Sequence, residues 1–317
     1  MNNIISANLR TGVEGHFRLE VLRSDGSVKE DTGFFRNLIL NQGLDNLFKM
    51  PAVRAYYFIQ VGFGNGAPSV TDTALQSHAA GINSFSEYHN DPTGVVTTSP
   101  RYYYDQATVT FATGAVVGNV AEIGAASSNT GPNTLFSRAL VKDSNGDPTT
   151  VSVLADEQLR VTYQLRWYIP EGEATGTLDL GEQVVKYAIR ASFNNRINNT
   201  LFGRPYEAFG WLARNSWDAY AAGATLAPLG TAGPTGSSIT IGVTPAGAWQ
   251  GSYVNGSFSR TCRATFSPAQ ITSAIGGFHF NPTHVGPMQV VFDPPIAKTN
   301  TKRLSLDITS SISRYAL

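Results

Sequence analysis

Along most of this chain apolar and polar residues alternate at the two-residue period of a half-buried strand, and only one stretch carries the period of a helix. Phe17, Leu19 and Val21 open the pattern. Ser24-Asp25-Gly26-Ser27 then supplies a hairpin turn, and Val28 starts a return strand towards Phe35. Leu40, Leu44, Leu47 and Phe48 fall on one helical face, which predicts a helix over Leu38–Met50 that Pro51 stops. Gly43 weakens that helix by about 1 kcal/mol relative to Ala. A short apolar run, Tyr56–Val61, predicts a buried strand. Further strands are expected at Thr108–Phe111, Leu135–Val141, Val151–Leu154 and Val184–Phe193. The strictest alternation is Leu159, Val161, Tyr163, Leu165 and Trp167, closed by Pro170. The Ala-, Gly-, Thr- and Pro-rich stretch 221–238 predicts an extended loop.

The strand signals recur. Thr108-Val109-Thr110-Phe111, then Leu135-Phe136, then the strand from Leu159 make one series. Arg263-Ala264-Thr265-Phe266, then Val291-Phe292, then Leu304, Leu306 and Ile308 make another. Residues 111 to 136 and 266 to 292 are almost equally spaced, and the later mismatch falls where the first series carries its Asp143–Pro148 turn. The expected fold is therefore mainly β. It comprises two β-sandwich-like domains related by an internal duplication, with a short helix in the first. The polar, Gly-containing stretch 171–183 is the expected linker between residues 1–170 and 184–317.

Composition narrows the function classes. Lys plus Arg and Asp plus Glu are each 23, so the net charge is zero and there is no basic footprint for nucleic acid. Charged residues are only 15% of the chain, against roughly 25% in ordinary soluble domains. Such a surface has little electrostatic protection against association, which predicts a homo-oligomer whose terminal segments, 1–15 and 310–317, order only against a neighbour. No apolar run reaches the roughly 18 residues of a membrane span, and the first residues lack the pattern of a secretory signal. Membrane insertion is not expected. Cys262 is the one cysteine, so an internal disulfide is impossible, and it is expected to be a small buried hydrophobe.

Candidate chemistry is sparse. Gly62-Phe63-Gly64-Asn65-Gly66 resembles a phosphate loop, but Ala67-Pro68-Ser69 follows it in place of a Lys or a helix start, so a turn is expected. Asp143, Asn145 and Asp147 mimic calcium ligands, but Pro148 and Leu154 stand where Gly and Glu are needed, so this is an Asx-rich turn. Asp156-Glu157 and Glu171/Glu173 could be imagined as glycosidase pairs, yet both lie beside turns, where solvated carboxylates are usual. His279 and His284 are close in sequence but have no regular ligand pattern. Tyr102-Tyr103-Tyr104 and the set Trp211, Trp217 and Tyr220 could stack on sugars, or fill core and interface. No catalytic, cofactor-binding or metal-ligating residue is nominated, and no cofactor is expected.

Several segments resemble a known group of proteins. Gly33-Phe34-Phe35-Arg36-Asn37-Leu38-Ile39-Leu40-Asn41-Gln42-Gly43-Leu44-Asp45 is similar to a segment of tailed-bacteriophage virion proteins, as is Val61-Gly62-Phe63-Gly64-Asn65 through Thr73-Ala74-Leu75. The broadest likeness runs through Glu122-Ile123-Gly124, Leu135–Val141, Pro148-Thr149-Thr150 and Leu159–Tyr163. Phe292–Thr299 resembles their C-terminal segments. The resemblance covers roughly residues 15–170 and 250–317, to tail-, collar- or fibre-associated structural proteins. It implies a non-enzymatic β-rich subunit of the virion, at the tail, neck or collar, or fibre attachment. Its partners would be copies of itself and other virion proteins of tail, collar or capsid, and it would be made in the cytoplasm of the bacterial host. The alternatives are a receptor- or glycan-binding tail-tip module, which an exposed aromatic cluster around Trp211–Tyr220 would favour, and a capsid decoration protein. A tail-borne depolymerase is the enzymatic alternative and would need a carboxylate pair in a cleft.

Overall fold

A computed structural model describes residues 4–49, 55–83, 85–88, 94–192, 217–231, 233–280 and 287–315. It is mainly β, and among the described residues it has one α-helix, Asn41–Lys49. The chain divides into two compact units. We call residues 13–94, 103–167 and 314–317 the early unit, and residues 1–12, 95–102 and 168–313 the late unit.

The early unit contains a five-stranded sheet ordered Leu38–Ile39, Leu135–Leu140, Glu122–Ala126, Phe58–Gly62 and His78–Ile82. Its second layer takes residues 13 onward of the strand Ile4–Leu22, followed by Gln158–Tyr168, Tyr102–Thr110 and Phe85–Tyr88. Alternation explains the layering, since Phe17, Leu19 and Val21 point inward with Leu159, Val161, Tyr163 and Leu165, all buried. Tyr56 bridges the layers, its ring 5.3 Å from Phe136 of one and 6.0 Å from Tyr163 of the other. The arrangement is sandwich-like.

The late unit contains a six-stranded sheet ordered Glu173–Asp179, Val184–Ala191, Met288–Ile296, Ile275–Phe280, Trp217–Tyr220 and Ser238–Val243. Gly247–Gln250, Ser259–Phe266 and Leu304–Arg314 lie side by side in the facing layer. Trp217 joins the layers: it stacks on Phe280 at 4.3 Å and meets the ring edges of Phe266 and Phe278 at 5.4 and 5.2 Å.

Eight strands of each unit, taken in chain order, share one pairing order. The first neighbours the seventh, the seventh the sixth, the sixth the second, and the second the third. The fourth, fifth and eighth form a separate run. The spacing between residues 111, 136 and 159 thus marks a strand, an inner hairpin and a return strand, and 266, 292 and 304 mark the same parts. Phe111 N donates to Leu159 O at 2.8 Å, and Phe266 pairs with Leu304 in register.

Four expectations need correction. Residues 171–183 are not a linker. Glu173–Asp179 pairs with Val184–Ala191 over its whole length, because Thr175, Thr177 and Leu178 continue a strand pattern that the turn at Gly181 folds back. Nor is residue 170 a clean boundary, since the late unit also takes residues from two earlier parts of the chain. The helix starts at Asn41 and not at Leu38, because Leu38 and Ile39 pair with Arg138 and Ser137; Met50 lies outside the described residues. Finally, the described parts of the terminal segments are paired within the chain itself: residues 4–15 lie in the strand Ile4–Leu22 and residues 310–314 in Leu304–Arg314, and Ile312 N donates to Phe258 O. Gly43, costly to helix propensity, is explained by a close approach, because a Cβ there would lie 2.1 Å from Phe136 O.

Candidate functional site

The densest polar construction in the early unit lies under the glycine-rich loop. Glu122 sits on a strand whose neighbours on both sides are hydrogen-bonded, pairing with Gly62 on one and Leu140 on the other. Its side chain is fully buried. A buried carboxylate is costly unless every lone pair is used, and here they are. Glu122 accepts backbone N–H groups from Gly64 at 3.1 Å, Gln76 at 3.0 Å and Ser77 at 2.6 Å. Arg138, on the partner strand, donates to the same carboxylate through Nε at 2.9 Å and Nη2 at 2.7 Å. The guanidinium reaches on to Asp72 at 2.7 Å and to Gly66 O at 3.0 Å. Burial alone would lower the Arg138 pKa, but its bonds to Asp72 and Glu122 outweigh that and hold it above the ordinary value.

The glycines now have a physical reason. A Cβ at Gly64 would stand 2.4 Å from Glu122 Oε1, so only glycine lets the amide close on the carboxylate. Gly66 N donates to Gln76 Oε1 at 2.7 Å. The amides that would cradle a phosphate at Gly64 and Gly66 are therefore committed to side chains of the protein itself, and the loop is a clamped turn, as its sequence indicated. Three exposed apolar side chains lie beside the clamp. Phe63 is 42% exposed, Val117 50% and Leu154 52%. Gly118 pairs with Val153, which places Val117 and Leu154 at one end of that ladder, and the Phe63 ring lies 3.3 Å from where a Gly118 Cβ would be. Phe63, Val117 and Leu154 thus mark one end of the early unit beside a loop held rigid from beneath.

The late unit holds a loop by the opposite charge. Lys298 is only 3% exposed, and its Nζ donates to Ser267 O, Pro268 O and Thr299 O at 3.0, 3.2 and 3.0 Å. Burial lowers its pKa.

The residues nominated from sequence are placed as follows. Asp143 Oδ1 accepts from Asn145 N and Asp147 N at 2.9 and 3.0 Å, the expected Asx turn. Glu157 is buried, bonded to Lys29 Nζ at 2.8 Å and Leu154 N at 2.9 Å, while Asp156 beside it is exposed. Glu171 accepts from Ser99 Oγ and Arg101 N, both at 2.9 Å, and Glu173 pairs with Arg190 at 3.0 Å. Each nominated pair is thus split between separate partners. Tyr103 is buried and Tyr102 half-buried against Tyr168. Trp217 is fully buried in the core and cannot serve as an exposed sugar platform; Trp211 and His284 lie outside the described residues. His279 Nδ1 lies 3.6 Å from Asp218, whose pKa its hydrogen bond lowers. Cys262 is buried, which pushes its thiol pKa up to about 11 and leaves it protonated and unreactive at neutral pH. Among the described residues no group of three or more His, Cys, Asp or Glu is arranged to hold a metal, and no helix is long and apolar enough to cross a membrane.

Sequence reasoning missed Glu122, Arg138 and Lys298. A signal was present: each is a charge inside an otherwise apolar or strand-like stretch, and such a residue is buried only with partners. Compared with known proteins, the chain matches no family model, no curated protein and no solved structure.

Proposed function

We propose that this chain is a non-enzymatic structural subunit of a bacteriophage particle, at the tail, the neck or collar, or the fibre attachment, where it contacts copies of itself and other virion proteins. One observation carries the reading. The segments that resemble virion proteins are the segments that build the clamp: Val61–Asn65 carries Gly62 and Gly64, Glu122–Gly124 carries the carboxylate, and Leu135–Val141 carries Arg138. In this chain those segments form a scaffold that fixes a loop. A fixed loop beside exposed Phe63, Val117 and Leu154 suits a permanent contact, because little conformational freedom is lost when a neighbour covers it. The uncharged balance of the chain favours the same role.

The reading is tested on phage particles banded from a lysate of infected cells that make the chain. Digestion and mass spectrometry should recover its peptides from the particle band in several copies per particle. Recovery only from the unbound fraction would overturn the assignment.

A further inference from the structure

The six-stranded sheet of the late unit ends in two strands of different character. Ser238–Val243, at one end, meets Trp217–Tyr220 through two shifts of register, and Gly242 within it has a φ of +71°. Bulges of this kind bend an edge away from further pairing. Glu173–Asp179, at the other end, pairs with Val184–Ala191 along all seven residues without a shift. Among the described residues no strand pairs with its outer side. It contains no Lys, no Pro and no bulge, the usual devices that close an edge.

The hairpin turn fixes which backbone groups are left open. Leu180 N donates to Gln183 O at 2.9 Å, so that pair is hydrogen-bonded. Bonded pairs then recur at every second residue: Leu178 with Val185, Gly176 with Tyr187 and Ala174 with Ile189. Glu173, Thr175, Thr177 and Asp179 therefore turn their N–H and C=O groups outward, and all four residues are exposed. Their side chains share one face of the sheet. On that face the sign of charge alternates from strand to strand. Glu173 and Asp179 are acidic. Arg190 and Lys186 of the next strand stand opposite Glu173 and Thr177, and Asp293 of the strand beyond stands opposite Lys186. Glu173 already bonds Arg190 at 3.0 Å. A basic strand continues this series. A second copy of the same edge does not, because antiparallel pairing about Gly176 sets Glu173 against Asp179, and like charges directly opposite are destabilising. The late unit's own pairs show what such a face accepts: Arg263 lies opposite Asp307, Thr261 opposite Thr309 and Thr265 opposite Ser305.

We propose that the outer edge of Glu173–Asp179 is a docking site for an extended segment of a partner protein. The segment joins the sheet as a further antiparallel strand, with Arg or Lys opposite Glu173 and Asp179 and with Thr or Ser opposite Thr175 and Thr177. Main-chain hydrogen bonds to the four outward residues supply affinity, and the two carboxylates select a basic segment over a copy of this chain. The edge belongs to the late unit alone and does not depend on the virion assignment.

The probe is the capped peptide Arg-Val-Thr-Val-Thr-Val-Arg, added to the full chain, with Glu-Val-Thr-Val-Thr-Val-Glu as control. At saturation the Arg peptide should slow hydrogen exchange at the Thr175 and Thr177 amides by about ten-fold or more. It should bind about ten-fold more tightly than the Glu peptide. Thr177→Pro removes one outward donor and leaves the ladder to Val184–Ala191 in place, so it should weaken binding about ten-fold with little change in melting temperature. Asp179→Lys should remove the preference for the Arg peptide, and it keeps the test decisive if the proline disturbs the sheet. Unchanged exchange at Thr175 and Thr177 with the peptide bound, or equal binding of both peptides, would overturn the site. Protection of those amides that grows with chain concentration in the absence of peptide would assign the edge to a second copy and overturn the partner.

Discussion

The two units run eight strands through the same order and close their loops with opposite charges. In the early unit, the carboxylate of Glu122 gathers three backbone amides beneath the glycine-rich loop; in the late unit, the ammonium of Lys298 gathers three backbone carbonyls. Their cores differ as well. The late unit packs Trp217, Phe266, Phe278 and Phe280 ring against ring, while the early unit places Asn37, Ser137 and Tyr163 between its layers. Strand order is therefore compatible with an aromatic core and with a partly polar one. What the two share is the inward–outward alternation, with matched polar pairs on the opposite face. Thr108 meets Thr162 in the early unit, and Thr261 meets Thr309 in the late one. Arg160 grips Glu20 with two hydrogen bonds, and Arg263 grips Asp307 in the same way. Pattern sets the topology, and residue identity sets how each unit is closed. We infer that the two units descend from one duplicated segment; an experimental structure in which Phe111 failed to superpose on Phe266 would end that inference.

The largest effect is expected at the clamp. Glu122→Ala leaves Arg138 buried with one carboxylate fewer and strips the Gly64, Gln76 and Ser77 amides of their acceptor. The expected loss is about 3–5 kcal/mol, the cost of breaking a buried pair from one side. Hydrogen exchange should quicken at those three amides first, and unchanged exchange there would mean that the loop is held by something else. Trp217→Ala should cost a similar amount, about 3–5 kcal/mol, through the cavity it opens. Its readout is local to the late unit: Cys262, protonated and buried in the native chain, should react with a thiol reagent far faster in the variant. Equal labelling rates would show that the aromatic stack does not guard that strand.

Smaller effects sharpen the comparison of charges. Lys298→Met keeps the length of the side chain but leaves three carbonyls without their donor, so a loss of about 1–3 kcal/mol is expected in denaturant unfolding. Asp218→Asn tests pH dependence. The Asp218 pKa is lowered in the fold by His279, so its contribution is present above the ordinary Asp value and is lost as pH falls through the folded one. The variant should be less stable than the parent by under about 1 kcal/mol near neutrality, and the gap should close on acidification below about pH 4. A gap that widened in acid would reverse the assigned sign.

Much of the fold was legible because alternation is local. Leu159 to Trp167 announced its strand, Asp143–Pro148 its turn, and Leu44, Leu47 and Phe48 the buried helical face, as the structure shows. The clamp was harder to see, because its parts are scattered. Residues 64, 72, 76, 122 and 138 come together only once three strands are paired, and no short window of sequence contains them. The division into units escaped for the same reason, since residues 95–102 join the late unit through contacts such as Ile169 N to Arg101 O. Glu173–Asp179 was hidden by composition: an edge strand with Glu, Thr, Thr and Asp outward has the polarity of a linker.

The central claim is that a scaffold of two like-ordered units holds a rigid contact surface for assembly into a particle. A cryo-EM map of the intact virion tests it most directly. Symmetric copies of this chain are expected at the tail, neck or fibre attachment, with Phe63, Val117 and Leu154 covered by a neighbouring subunit. A particle without the chain, or with those three side chains facing solvent in every copy, would contradict it.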